Sequence, residues 1–143
     1  MPRRLRRATI GIPSGGSCTG AISLITSALG PSRGEVWRIN FDPTVGSEIQ
    51  KARPAVIISS DAVGKLPIKL VAPVTGWQPH FTRDLWHVRI DPTASNGLTK
   101  PSAVDVLQVR SVDVQRFIDR IGAVTADIMQ EIVTALALVV EYQ

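Results

Sequence analysis

The sequence has few of the residues that build disulfides, metal centres and histidine-based catalytic sites. Its 143 residues include one cysteine, Cys18, and two histidines, His80 and His87. A single thiol cannot form an internal disulfide, which is typical of a protein from a reducing compartment. No Cys/His cluster has metal-ligand spacing, and no glycine-rich phosphate loop follows a predicted strand. We therefore expect a cytoplasmic protein that needs no metal and no cofactor.

Long apolar runs are also lacking. The longest apolar stretch, Ile132–Val140, is too short to cross a bilayer, so no membrane partner is expected. Four arginines in the first seven residues precede a mildly apolar stretch, Ala21–Leu29, which loosely resembles a secretory signal. A Gly/Ser/Pro-rich spacer separates the two parts, and this disfavours secretion. We predict that residues 1–30 are a flexible basic extension, dispensable for folding, and that residues 31–143 form one domain.

The surplus of positive charge lies in this extension. The formal net charge is +4, and residues 1–30 contain four arginines and no acid. The rest of the chain carries the other 12 basic residues and all 12 acidic ones. The pI therefore says nothing about nucleic acid, and a phosphate-binding surface must be built locally, mainly from residues 31–100.

Short apolar segments separated by polar turns predict a small antiparallel barrel or half-barrel. Asp42–Ala52, with Pro, Gly and polar residues, is predicted to be a loop. The continuous apolar run that follows it predicts a strand buried on both faces, with Pro54 as its first residue. The five predicted strands are Gly34–Phe41, Pro54–Ser59, Ile68–Val74, Trp86–Ile90 and Ala103–Val109.

The hydrophobic period changes near the C-terminus. Apolar residues recur every four positions from Ile128 to Val140, after Thr125 as a candidate N-cap. This pattern predicts a helix whose apolar face packs on the sheet or on a partner subunit. We also predict a shorter helix over Ser111–Arg120.

Three segments, taken together, resemble the MazF/PemK toxin family. Residues 34–60 read GEVWRINFDPTVGSEIQKARPAVIISS, and residues 70–76 read LVAPVTG. These match the family patterns G-[DE]-[VI]-W, D-P-T-x-G-x-E, R-P-[AV]-[VL]-[VI] and P-[VI]-T. Residues 108–116 resemble the pattern Q-[IV]-R-[ST]-[LIV]-D-x-x-R. The order and spacing of these segments extend the likeness over nearly all of residues 34–140. The loop Ser60–Lys65 departs from the family, which often has Asn there.

This resemblance implies a mainly β fold, a small SH3-like or CcdB-like barrel with a C-terminal helix, assembled as a homodimer. It also implies a toxin of a type II toxin–antitoxin system, held by a cognate antitoxin. The implied activity is that of an mRNA interferase, a growth-inhibiting endoribonuclease that cuts single-stranded mRNA sequence-selectively. In this family the 2′-hydroxyl of the RNA attacks the adjacent phosphate and leaves 2′,3′-cyclic phosphate and 5′-hydroxyl ends.

Three residues of the matching motifs are candidates for catalysis. Arg53 precedes Pro54, which favours an extended backbone, and its planar guanidinium suits phosphate oxygens. Thr75 ends a predicted strand beside a glycine, where its hydroxyl could bond the scissile phosphate. Glu48, in the same loop as Arg53, is either the general base or a residue that orients the arginine; both roles remain open.

Three further residues are candidates for binding the substrate. Gln108 either contacts RNA or braces the site, Trp77 is the best candidate for stacking on a base, and Lys51 is expected to contact the RNA. A rival catalytic pair is His80 with His87, since two histidines can supply an acid and a base.

Two rival functions are compatible with this fold. A CcdB-like gyrase poison would have a C-terminal Trp-Gly-Ile, whereas this chain ends Glu141-Tyr142-Gln143. A non-catalytic RNA-binding barrel would not need Arg53 and Thr75.

Overall fold

The computed structural model describes residues 30–63 and 66–142. Residues 1–29 of the predicted extension, Cys18 among them, lie outside the described residues, as do two positions of the divergent loop. The domain boundary at residue 31 therefore stays a prediction. No helix in the described part of the chain is both long and apolar enough to span a membrane.

Antiparallel β-structure dominates the described residues, and one α-helix follows it. The strands are β1 (Glu35–Asn40), β2 (Ala52–Ile57), β3 (Ile68–Gly76), β4 (His87–Ile90), β5 (Ser102–Asp105), β6 (Arg110–Asp113) and β7 (Phe117–Ala123), and the helix is α1 (Ala126–Val139). The predicted mainly β fold with a C-terminal helix is confirmed.

The strands form one sheet in the order β4-β5-β3-β2-β1-β7, and β6 pairs with the first half of β3. Within the described residues no ladder joins the end strands β4 and β7. The loop after β4 contacts β7 instead: the Ala123 N–H donates to the Ser95 carbonyl at 2.9 Å. A Cβ at Gly122 would lie 2.4 Å from that same carbonyl oxygen, so this approach requires glycine.

Two apolar clusters lie on opposite faces of the sheet, because side chains alternate along each strand. The larger cluster packs under α1 and includes Val56, Val104 and Ile132. The smaller cluster includes Ile39, Ile57 and Val71. The last three residues of β2, Ala55–Ile57, have no exposed surface, which confirms the predicted strand buried on both faces.

Pro54 was predicted to begin its strand, and this is wrong, since it is the third residue of β2. The ladder with β3 begins only at Ala55, so the half of β2 that contains Pro54 pairs with β1 alone. A missing N–H is tolerated where a strand has one neighbour rather than two.

The predicted helix over Ser111–Arg120 is also wrong. This segment contains β6, a 3₁₀ turn at Val114–Arg116 and the first part of β7. The Asp113 carboxylate accepts a hydrogen bond from the Gln115 N–H and so caps the turn. Pairing of β7 with β1 supplies long-range hydrogen bonds that outweigh a weak local helix preference. The strand predicted over Ala103–Val109 likewise ends early, at Asp105, whose side chain caps a second 3₁₀ turn at Val106–Gln108.

The C-terminal helix begins where the sequence predicts. Thr125 is the N-cap, and its hydroxyl accepts a hydrogen bond from the Ile128 N–H. Met129, Ile132 and Ala135 are buried against the sheet, so most of the apolar face serves the core of its own chain.

Candidate active site

A small cationic pocket forms where the Asp42–Ala52 loop meets the ends of β2 and β3. We call it the basic pocket; its volume is about 200 Å³. It brings together three of the predicted site residues, Lys51, Arg53 and Thr75, which are far apart in sequence. Its lining is Lys51, Ala52, Arg53, Pro54, Val74, Thr75, Gly76, Lys100 and Ser102. Three cations, two hydroxyls and no carboxylate line it, a composition that favours a phosphate group.

Strand register explains how the basic pocket forms. Ala55 pairs with Pro73, and the same register continued by two residues sets Arg53 opposite Thr75. Thr75 in turn pairs with Ala103 of β5, and Gly76 pairs with Ser102. Since the side-chain period of a strand is two, Arg53 and Thr75 lie on the same face of the sheet.

The Arg53 side chain is half-buried and held at its base. Its Nε donates to the Gln50 carbonyl oxygen at 2.9 Å. Within the described residues its terminal Nη groups have no hydrogen-bond partner and no acidic partner within ion-pair distance. The guanidinium is therefore oriented by its own loop while its two outer amino groups are available to an anion.

A larger apolar pocket of about 560 Å³ lies on the other side of the loop. It is lined by Phe41, Val45, Ser47, Glu48, Ile49, Pro73, Leu107, Gln108, Val109 and Arg110. Glu48 and Gln108 therefore lie together, but in this apolar pocket rather than in the basic pocket. The Glu48 carboxylate accepts a hydrogen bond from the Val45 N–H at 3.0 Å, which closes a turn within the loop.

Side chains of the 108–116 motif form hydrogen bonds with the backbone at the start and in the middle of the Asp42–Ala52 loop. Gln108 accepts a hydrogen bond from the Ile49 N–H at 2.6 Å. Arg110 donates to the Phe41 carbonyl at 3.4 Å, and Arg116 donates to the Asp42 carbonyl at 2.6 Å. Residues 108–116 thus hold the start and the middle of the loop that precedes Arg53. The spacing of the two motifs therefore has a structural reason as well as a chemical one.

A family model agrees with this arrangement. The model described as PemK-like, MazF-like toxin of type II toxin-antitoxin system matches residues 32–140. The chain belongs to this family. Endoribonuclease MazF9 of Mycobacterium tuberculosis is 30% identical over 112 residues, which cover 74% of this chain and 92% of that protein. The toxin is accordingly a MazF-like endoribonuclease of a type II toxin–antitoxin system.

Solved structures support the fold of this MazF-like toxin. MazF from Deinococcus radiodurans superposes with a TM-score of 0.66 at 25% identity, covering 78% of this chain and 96% of that chain. An endoribonuclease from a mycobacterial species, solved in complex with its cognate antitoxin, gives a TM-score of 0.63 at 23% identity and covers 79% and 97%. The second likeness concerns the fold alone.

Trp77 lies beside the basic pocket of the toxin but does not line it. Its ring packs edge-on against Phe81 at 5.8 Å, and the Arg89 guanidinium carbon lies 4.9 Å from the ring centroid. One side of the indole is thus already occupied by a cation. Stacking of Trp77 on a base stays a prediction.

The two histidines of the toxin lie outside both pockets. His87 is buried, stacks on Phe81 at 3.8 Å, and places its Nδ1 2.9 Å from the Asp84 carboxylate. The His80 ring packs edge-on against the same Phe81 ring, with the two ring centroids 4.7 Å apart. Phe81 thus contacts both imidazoles, an arrangement that favours packing over paired acid–base chemistry.

Sequence reasoning missed two residues of the basic pocket, Lys100 and Ser102. A Cβ placed on Gly76 would lie 3.4 Å from the Lys100 Nζ, so the lysine side chain extends over the end of β3. Both residues lie outside the matching motifs. Only the pairing of β5 with β3 brings them to the pocket, so no local signal in the sequence identifies them.

Proposed function

We propose that this toxin cuts single-stranded mRNA sequence-selectively through attack of the 2′-hydroxyl on the adjacent phosphate. The products would be a 2′,3′-cyclic phosphate and a 5′-hydroxyl. The observation that carries the proposal is the basic pocket, in which Arg53, Lys51 and Lys100 face a volume of about 200 Å³, enough for one phosphodiester. The nucleophile belongs to the RNA. The protein therefore needs only to position the reacting groups of the RNA and to stabilise the charge that develops on the phosphate, and it forms no covalent bond to the substrate.

Arg53 is the principal charge stabiliser in this proposal. The attack places additional negative charge on the nonbridging phosphate oxygens, and the outer amino groups of the guanidinium can bind two of them at once. The Thr75 hydroxyl donates to the same phosphate group. Lys100 adds a third positive charge, and Lys51 guides the flanking backbone of the RNA.

Glu48 is better placed to order the loop than to act directly at the basic pocket. Its carboxylate bonds the Val45 N–H and lines the apolar pocket. Of the two roles open to it, orientation of Arg53 has this indirect support, since Glu48 orders the loop that precedes the arginine. The apolar pocket is large enough for a nucleobase next to the cut. Of the two roles open to Gln108, bracing the site has the support of its hydrogen bond to the Ile49 N–H.

Bare RNA is the substrate that tests the proposal. The purified toxin is expected to cut a single-stranded RNA in excess EDTA, with no other protein present. Neither a gyrase poison nor a non-catalytic RNA-binding barrel would cut RNA under these conditions. A protein that binds RNA without cutting it would support the non-catalytic RNA-binding barrel. A protein that inhibits gyrase and does not cut RNA would support the CcdB-like gyrase poison. Titration of Mg²⁺ back into the reaction serves as the control.

A cognate antitoxin is the second proposed partner. An antitoxin with an acidic, partly disordered tail would match the three cations of the basic pocket and could cover the adjoining apolar pocket. Such a tail would block RNA from both pockets. Action in the cytoplasm, as expected from the sequence, stays a prediction.

We further propose that the toxin is a homodimer. Family membership supports this, and Val133 and Leu138 of α1 are exposed beyond its packed face, as is Val140 directly after it. Light scattering coupled to size exclusion at micromolar concentration is expected to give twice the monomer mass. A single species at the monomer mass over a tenfold concentration range would contradict the dimer.

A further inference from the structure

Gln108 makes two hydrogen bonds of opposite polarity. Its Oε1 accepts from the Ile49 N–H at 2.6 Å, and its Nε2 donates to the Asp105 Oδ2 at 3.1 Å. A backbone N–H can only donate and a carboxylate can only accept, so the two partners together fix which way the amide points. Asp105 therefore determines whether the amide oxygen faces the loop.

Asp105 is a buried carboxylate, 7% exposed, that neither pocket contains. Its Oδ1 accepts from the Leu107 N–H at 3.1 Å and caps the 3₁₀ turn that carries Gln108. Its Oδ2 lies 3.8 Å from the Nε2 of His87, whose other nitrogen contacts Asp84. A buried carboxylate is costly unless its oxygens are bonded, and both oxygens of Asp105 accept hydrogen bonds, from the Leu107 N–H and from the Gln108 amide.

The same hydrogen-bond path continues to the catalytic arginine. Ile49, which bonds Gln108, directly precedes Gln50, whose carbonyl accepts from the Arg53 Nε at 2.9 Å. The short backbone segment Ile49–Gln50 is thus held by Gln108 at its N–H end and holds the guanidinium at its C=O end.

We propose that Asp105 is a positioning residue for RNA cleavage, which acts through Gln108 and the backbone of Ile49 and Gln50 to set the guanidinium of Arg53. This inference rests on the proposed function. It assigns a role to a carboxylate that touches neither the substrate nor the pocket, and it makes the polarity of the Asp105–Gln108 pair, rather than its presence, the decisive feature.

An exchange of the two functional groups tests the polarity. Asp105→Asn turns one acceptor into a donor, so its amino group faces either the Gln108 amino group or the Leu107 N–H. Single-turnover cleavage at saturating RNA is expected to fall about tenfold, the effect of losing one hydrogen bond to a charged group. Gln108→Glu alone sets two carboxylates against each other and is expected to fall at least as far, again about tenfold.

The double variant Asp105→Asn with Gln108→Glu restores a complementary pair. The new amide can donate to one oxygen of Glu at position 108, while the other oxygen still accepts from the Ile49 N–H. Its rate is expected to return to within about threefold of wild type, a non-additivity that only directly coupled residues show. The matched control is Asp119→Asn, since Asp119 also accepts a side-chain hydrogen bond, from the Arg38 Nε at 3.1 Å, but is an exposed residue of β7 that lines neither pocket. This control is expected to cleave like wild type.

Hydrogen exchange at the Ile49 amide provides a readout that does not depend on cleavage. Exchange is expected to quicken in both single variants and to slow again in the double variant. If wild type cuts RNA but the double variant stays as slow as the singles, the positioning role is overturned. A different result would separate the two proposals. If wild type does not cut RNA, but protection of the Ile49 amide is lost in the single variants and regained in the double variant, the proposed function fails and the hydrogen-bond path stands. Should Asp105→Asn not fold, the comparison of Gln108→Glu with the double variant decides the same question.

Discussion

An RNA with one 2′-deoxy sugar at the cut is expected to resist the toxin at that position. The deoxy sugar lacks the hydroxyl that attacks the phosphate, and among the described residues the lining of the basic pocket has no carboxylate or imidazole that could activate water or a protein hydroxyl in its place. Loss of product should be complete, because the change removes the nucleophile rather than a group that assists it. The measurement is gel analysis of two end-labelled oligonucleotides that differ only in this sugar, incubated with excess toxin in EDTA.

The control is an RNA whose single 2′-deoxy sugar lies one nucleotide away from the cut. This RNA should still be cleaved at the original site. The product of the all-ribose RNA should carry a 5′-hydroxyl that accepts label directly from a kinase. Cleavage that continues at the deoxy position would sink the proposed mechanism, because the attacking group would then have to be water or a protein hydroxyl.

Replacement of Arg53 by alanine is expected to slow single-turnover cleavage at least about a hundredfold, the usual cost of removing a preorganised charge stabiliser. The fold should survive, because the half-buried side chain bonds only the Gln50 carbonyl among the described residues. Arg53→Lys should restore part of the rate, since an ammonium keeps the charge but cannot bind two oxygens in one plane. Arg83→Ala is the matched control, an exposed arginine outside both pockets.

The rival assignment to histidine is tested in the same assay. The double change His80→Ala with His87→Ala should cost less than about tenfold, below the usual loss for a general acid or base. His87 is buried against Asp84 and Phe81. A second double variant, His80→Ala with His87→Asn, therefore keeps a hydrogen-bond donor for Asp84 and guards against unfolding. An active Arg53→Ala toxin beside inactive, folded histidine variants would overturn the assignment of the site.

Local patterns predicted the parts of the fold whose signals are strong in sequence. The apolar run after Pro54 has no polar residue to place in water, so it could only be a buried strand. The Thr125 cap and the four-residue period predicted α1 because both are properties of a single segment. The motif around Arg53 and Thr75 was visible for the same reason. Ser111–Arg120 was predicted wrongly, because its two short strands take their hydrogen bonds from β3 and β1, which are distant in sequence.

The sequence by itself thus determined the family and the mainly β architecture, and it predicted Arg53 and Thr75 as site residues, which the fold brings together in the basic pocket. Tertiary structure decided which residues join them. Lys100 reaches the basic pocket only because β5 pairs with β3, while Glu48 and Gln108 lie on the other side of the loop. Asp105 acquires a role only because a 3₁₀ turn directs Gln108 at the Ile49 N–H. Strand pairing and hydrogen-bond polarity join residues that no local pattern connects, and for that reason these assignments required the folded chain.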